Sequence, residues 1–98
     1  MKQYCEMNNY DLYELGKKDG LVGNNKVKEI ISSLPLTLKK NTLYNRVTNY
    51  IYGYKVGMLE RKLDNNEISL GGYSDSILKE DATKEASKLL KKVTRWLT

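Results

Sequence analysis

Apolar residues recur at helical spacing in several stretches of the chain, and the pattern is clearest near its end. Over about residues 75–97, an apolar stripe runs along one side and a row of cations along the other. The apolar stripe consists of Leu78, Ala82, Ala86, Leu89, Val93, Trp96 and Leu97. A period near 3.6 residues predicts an amphipathic C-terminal helix that buries one face, with Asp75 as its N-cap.

A longer helix is predicted over about residues 42–63, where Asn41 or Thr42 can serve as the cap. Its apolar residues fall on two sides. One side holds Leu43, Val47, Tyr50, Ile51, Tyr54 and Met58, and the other holds Tyr52, Val56, Leu59 and Leu63. The strip between them holds Arg46, Asn49, Gly53, Gly57 and Glu60. Because a helix that is apolar on two sides usually lies between neighbours, we expect this one at the centre of the fold.

Two shorter helices precede the long one. The first begins at Asn8 or Asn9, either of which can cap it, and Gly20 and Gly23 are stop signals near its end. The second is short and ends at Leu34, because the proline that follows disfavours helix in the residue before it.

These elements predict an all-α fold, a small bundle of three to four helices with a long central helix and an amphipathic C-terminal helix. A chain of 98 residues has the size of one domain, so a single helical domain is expected over residues 1–98. Residues 1–8 are expected to form a flexible leader. Residues 35–41 are expected to be a linker, and residues 67–74 a loop with room for a short extended piece at 68–70.

The residue types argue against catalytic and metal-binding chemistry. The chain has no histidine, the commonest general base, and no phosphate-binding glycine loop. Its one cysteine, Cys5, has no base nearby in sequence, and no cluster of Cys, His or carboxylates typical of a metal site is visible. We therefore expect a protein that is not an enzyme and that uses no cofactor and no metal.

The same residue usage bears on location. A lone cysteine cannot form an internal disulfide, which favours a reducing compartment. No apolar run approaches the roughly 20 residues that span a bilayer, and the first residues lack the apolar stretch of a signal peptide. We expect a cytoplasmic protein without a membrane span, in a bacterial cell or encoded by a phage that infects it.

Positive charge dominates the polar surface. Lys and Arg total 17 against 12 Asp and Glu, and the resulting net charge is +5. This charge favours an acidic partner such as RNA, DNA, an anionic membrane or an acidic protein face. The last helix carries a basic ridge that could lie along phosphates, formed by Lys84, Lys88, Lys91, Lys92 and Arg95. Depending on the fold, it could be extended by Lys39, Lys40, Arg46, Arg61 and Lys62. Solvation alone also explains such a face, because charged residues keep the exposed side of any helix soluble.

Tyrosines could add base stacking to these phosphate contacts, because aromatic rings stack on unpaired bases. The tyrosines expected to be exposed enough for stacking are Tyr4, Tyr10, Tyr44 and Tyr73.

Two segments each place two glycines four residues apart, close behind an aromatic residue: Gly16 with Gly20, and Gly53 with Gly57. Glycine inside a helix costs roughly 1 kcal/mol relative to alanine, so two such pairs predict a gain from close backbone approach. We expect these four residues to form a helix-packing or dimer contact. For Gly20 and Gly23, a simple helix end and turn remains an alternative.

At these residues the chain resembles ribosome modulation factor and similar small phage-borne proteins. Their pattern is Gly-x-x-x-Gly-x-x-Gly in one helix, a proline connection, and a second helix in which aromatic residues flank a glycine. The matching residues are Gly16, Gly20, Gly23, Pro35, Tyr50, Gly53 and Tyr54, over about residues 10–62. Tyrosines stand in place of the family's tryptophans, and Leu36 in place of an aromatic. The resemblance implies binding to ribosomal RNA and silencing of ribosomes.

Three functions are compatible with this sequence. The first is a basic modulator that contacts RNA or a ribonucleoprotein such as the ribosome. The alternative is an inhibitor from a phage or mobile element that binds a host defence protein, such as an anti-CRISPR protein, through protein–protein contacts. The third is an assembly protein that forms a homodimer through the strip of Gly53 and Gly57.

Overall fold

The computed structural model describes residues 3–34, 38–64 and 75–91. They form a short 3-10 turn, Tyr4–Glu6, and four helices: α1 over Asn9–Val22, α2 over Val27–Ser33, α3 over Lys40–Asp64 and α4 over Asp75–Lys91. No strand occurs within these three ranges. The predicted all-α bundle, with its long central helix and amphipathic C-terminal helix, is confirmed. The expected extended piece at 68–70 and the predicted helix after residue 91 lie outside the described residues.

The core lies along α3, against which α1, α2 and α4 all pack. Its buried side chains are Leu12, Val27, Ile30, Ile31, Leu34, Leu43, Val47, Tyr50, Ile51, Ala82, Ala86 and Leu90. In the described part of α4 the buried row includes Leu90, whereas the predicted stripe passed through Leu89, which is half-buried. The reason is that the buried residues of α4 follow one row with a spacing of four, starting at Leu78.

The ends of α1 are determined by local chemistry. At its start, the side chain of Asn8 accepts a 2.8 Å hydrogen bond from the backbone of Asp11, and the Asp11 carboxylate accepts one of 3.3 Å from the backbone of Asn8. This capping box selects Asn8 over Asn9 as the N-cap. At its end, Gly23 adopts a left-handed conformation with φ of 73°, which glycine tolerates best.

The segment before α1 packs against the bundle, in contrast to the flexible leader expected from the sequence. Tyr4 and Met7 lie against the buried core. The hydroxyl of Tyr4 donates a 3.3 Å hydrogen bond to Glu29 in α2. The difference arises because the turn Tyr4–Glu6 contacts α2, which lies more than 20 residues further along the chain and is not revealed by the local sequence pattern.

The elements on either side of residues 35–37 differ in how well they were predicted. Before the proline, α2 ends as expected, because Leu34 has an extended backbone with φ of −75° and ψ of 141°. After it, α3 begins at Lys40, which lies in the expected linker and before both expected caps. The backbone of Leu43 donates a 3.0 Å hydrogen bond to the carbonyl of Lys39, which moves the start of the helix upstream.

The two glycine pairs form the contact between α1 and α3. A methyl group added at Gly16 would overlap the carbonyl oxygen of Tyr50 and lie 2.9 Å from the backbone nitrogen of Tyr54. One added at Gly53 would overlap the carbonyl oxygen of Tyr13. Each glycine therefore admits the backbone of the opposite helix, a contact in which Cα–H groups meet carbonyl oxygens.

The order of these contacts shows that α1 and α3 run parallel. Gly20, which follows Gly16 by four residues, lies against Tyr54 and Met58. Contacts therefore advance along both helices in the same direction. Gly20 belongs to this crossing, and only Gly23 serves as the helix end.

Both glycine strips are filled within one chain. Gly53 and Gly57 are buried against α1, and Gly16 and Gly20 are buried against α3. The crossing therefore leaves neither strip available for a similar crossing between two copies. On the second apolar side of α3, Tyr52 and Val56 are only half-buried. Here α1 packs on the neighbouring strip of Gly53 and Gly57.

Candidate nucleic-acid interface

The described part of the basic ridge lies on the outer face of α4. Lys84, Lys88 and Lys91 are exposed, while Ala82 and Ala86 are completely buried on the other side of the same helix. With 3.6 residues per turn, the three lysines fall within a narrow sector roughly opposite the buried row. The fold thus presents them together and towards solvent. Lys92 and Arg95, the remaining predicted members of the ridge, lie outside the described residues.

Most of the positive charge on the described part of the ridge has no carboxylate partner among the described residues. Within residues 3–34, 38–64 and 75–91, neither Lys88 nor Lys91 has an ion-pair partner. Lys84 lies 3.5 Å from Glu80, and both side chains are about two-thirds exposed, at 68% and 67%. Because solvent screens an exposed pair of this kind, the Lys84 ammonium can exchange Glu80 for a phosphate at little cost.

Other lysines, in contrast, are held by internal carboxylates. Lys55 in α3 lies 2.9 Å from Glu85 in α4, and Lys26 lies 3.5 Å from the buried Asp19. Lys17 in α1 lies 3.3 Å from a carboxylate of α3, Glu60, and the hydrogen bond to it raises the pKa of Lys17. These ion pairs link different elements of the bundle, so the three lysines contribute to the fold and are less available to a binding partner.

Lys39 and Lys40 lie at the start of α3, and both are exposed. The first turn of α3 contains no acidic residue. The positive end of the helix dipole is at this terminus, where carboxylates stabilise a helix and cations do not. Two lysines there strengthen the positive potential of the surface, although they belong to a different helix from the ridge.

The predicted stacking tyrosines differ in their surroundings. Tyr4 is hydrogen-bonded to Glu29, and the hydroxyl of Tyr44 donates a 3.4 Å hydrogen bond to the carbonyl of Thr83 in α4. Both rings are half-buried, so less of each ring is exposed than expected, and stacking on bases stays a prediction. Tyr10 is exposed as expected, at 68%, but it lies on α1 rather than on α4. Tyr73 lies outside the described residues.

One aromatic contact was missed by the sequence reasoning. The rings of Tyr13 and Tyr52 lie 5.2 Å apart at an angle of 37°, and the ammonium of Lys79 lies 5.5 Å from the centre of the Tyr52 ring. The contact joins α1, α3 and α4. Both tyrosines stand shortly before a glycine pair, which is a sequence feature that the two segments share. The contact could be predicted from it only once α1 was known to pack against α3.

Metal-binding and membrane-spanning features were sought in the part of the chain that the structure describes. Its His, Cys, Asp and Glu side chains form no group of three or more that could hold a metal ion. None of its helices is sufficiently long and apolar to cross a membrane.

Comparison with known proteins adds no relative to this picture. No protein-family model matches the chain, and neither the curated proteins nor the solved structures gave a significant match.

Proposed function

We propose that this chain is a basic, non-enzymatic binding protein whose α4 helix contacts the phosphates of RNA or of a ribonucleoprotein such as the ribosome. One observation carries the proposal: Lys84, Lys88 and Lys91 share the exposed edge of α4, and no carboxylate of the described residues pairs with the last two. A row of exposed ammonium groups on a rigid helix suits a row of phosphates.

The physical basis of such binding is the release of counterions. Each ammonium group that replaces a condensed cation on the nucleic acid returns that cation to solution, so affinity falls as salt rises. The net charge of +5 adds long-range attraction that speeds the encounter. The resemblance to ribosome modulation factor supports ribosomal RNA as the partner. The glycines of this chain that carry the resemblance include Gly16, Gly20 and Gly53, which all lie in the α1–α3 crossing.

The test compares two charge reversals of equal size. Lys88→Glu with Lys91→Glu removes two members of the ridge. Lys18→Glu with Lys28→Glu removes two exposed lysines of α1 and α2 that have no ion-pair partner among the described residues. Both variants change the net charge equally, so a difference between them reports position rather than total charge.

Binding of a labelled fragment of ribosomal RNA would be measured by fluorescence anisotropy between about 50 and 200 mM salt. We expect the ridge variant to lose at least about tenfold in affinity and the control variant to lose clearly less. Circular dichroism would verify that both variants remain helical. Equal losses in the two variants, or unchanged binding in the ridge variant, would contradict the proposal. Binding only to an acidic protein would favour the inhibitor alternative.

A further inference from the structure

The three cations on the exposed edge of α4, Lys84, Lys88 and Lys91, are all lysines. A lysine ammonium is a compact point charge on a flexible stem, whereas the arginine guanidinium is a planar fork suited to paired contacts with a base edge. Lysines in a row therefore bind phosphates well and discriminate poorly between bases.

The two arginines of the described residues, Arg46 and Arg61, lie on α3 and not on the exposed edge of α4. The guanidinium of Arg61 lies against Gly23 at the end of α1, and Arg46 is half-buried in α3. On α4 itself, the hydroxyl of Thr83 donates a 2.8 Å hydrogen bond to the carbonyl of Lys79. Asn, Gln and Arg, whose planar groups can make paired contacts with a base edge, do not occur in the sequence of residues 75–91.

From this arrangement we infer that α4 recognises the phosphodiester backbone of RNA without reading its base sequence. The inference rests on the proposed function and specifies its ligand as a row of phosphates. Along a helix with a rise of 1.5 Å per residue, Lys84 and Lys91 are separated by about 10 Å. Three ammonium groups spread over this length can each lie beside a different phosphate of one strand.

The salt dependence of binding provides a quantitative test. If each ridge lysine neutralises one phosphate of a single strand, it contributes roughly 0.7 to the slope of log affinity against log salt. Lys88→Glu with Lys91→Glu should therefore reduce the magnitude of the slope by about 1.4 or more. The control variant, Lys18→Glu with Lys28→Glu, should keep the slope of the unmodified chain.

Sequence independence is tested with single-stranded RNAs of equal length and unrelated sequence, each titrated with the full chain at one salt concentration. We expect their affinities to agree within about threefold, because phosphate contacts carry no sequence information. A preference of about tenfold or more for one sequence, lost in the ridge variant, would overturn the inference, because α4 itself would then read the bases.

The outcomes separate this inference from the proposed function. Binding with strong sequence preference that requires the ridge overturns only the inference. No binding to any of the RNAs overturns both. Polyglutamate serves as a further probe: if it binds with the same affinity and salt slope as RNA, the ridge responds to negative charge in general, and the assignment to phosphates is wrong.

Discussion

The hydroxyl of Tyr50 donates a 2.6 Å hydrogen bond to the carboxylate of Asp19 inside the bundle. Tyr50 is completely buried and Asp19 is 5% exposed. The same hydroxyl accepts a 2.9 Å hydrogen bond from the backbone of Lys26, whose ammonium lies 3.5 Å from Asp19. The end of α1, the start of α2 and the middle of α3 are therefore joined by one buried polar network.

Tyr50→Phe should destabilise the fold. The substitution leaves the ring in place but removes a hydrogen bond from a buried carboxylate and an acceptor from the backbone of Lys26, which costs about 1–3 kcal/mol. Urea denaturation followed by circular dichroism would measure the free energy of unfolding. As a control, Tyr10→Phe removes a hydroxyl from an exposed ring and should change that free energy by less than about 0.5 kcal/mol. Equal effects of the two substitutions would show that the network contributes little.

Stability should fall at alkaline pH through Tyr50. Burial raises the pKa of this hydroxyl above its ordinary value of 10.0, and its hydrogen bond to Asp19 raises it further. In the unfolded chain the hydroxyl loses its proton near pH 10, whereas the folded chain retains it. The stabilisation is therefore fully present below about pH 10 and decreases as pH rises above that value.

The free energy of unfolding would be measured from about pH 8 to 11 for the unmodified chain and for Tyr50→Phe. The difference between them should be constant up to about pH 10 and should shrink above it. A difference that stays constant over the whole range would show that the folded and unfolded states release this proton at the same pH.

Alanine at the glycine crossing should destabilise the bundle. Gly16→Ala gains about 1 kcal/mol of helix propensity but places a methyl group on the carbonyl of Tyr50. Overpacking costs about 1–3 kcal/mol and is worst against backbone, which cannot rotate away as a side chain can. Because the clash is with backbone, we expect the upper part of the cost range to apply and the net loss to be about 1–2 kcal/mol, again measured by urea denaturation. A more stable variant would mean that α1 and α3 do not approach as closely as described.

The double variant Gly16→Ala with Gly53→Ala tests the crossing as a unit. Each methyl group pushes the same two helices apart, so the second should cost less than it does alone. The measurement is a double-mutant cycle in the free energy of unfolding. Strict additivity would indicate that the two glycines act independently, contrary to the geometry.

The N-cap of α1 distinguishes two neighbouring asparagines. Asn8→Ala removes the side chain that accepts from the backbone of Asp11 and should cost about 1 kcal/mol. Asn9→Ala changes an exposed residue in the first turn of the helix and should be neutral or slightly stabilising. Thermal denaturation of the two variants would reveal the difference, and the reverse order of stabilities would place the cap at Asn9.

Much of the secondary structure could be predicted from the sequence. The apolar period of α4, the cap region of α1 and the end of α2 at Leu34 depend on interactions within one or two helical turns. The exposed position of Lys84, Lys88 and Lys91 follows from the same period, because residues opposite a buried row must face solvent. The candidate interface was therefore largely predictable.

The tertiary structure decided how the helices meet. The spacing of Gly53 and Gly57 predicted a close backbone contact but not its partner, and only the fold shows that α1 packs there. The burial of Asp19 and the docking of Tyr4 likewise depend on residues distant in sequence. Sequence alone determined where the helices form and which edge of α4 faces solvent, because those interactions are local. The parallel pairing of α1 with α3 needed the assembled fold, since it depends on the fit between two backbones.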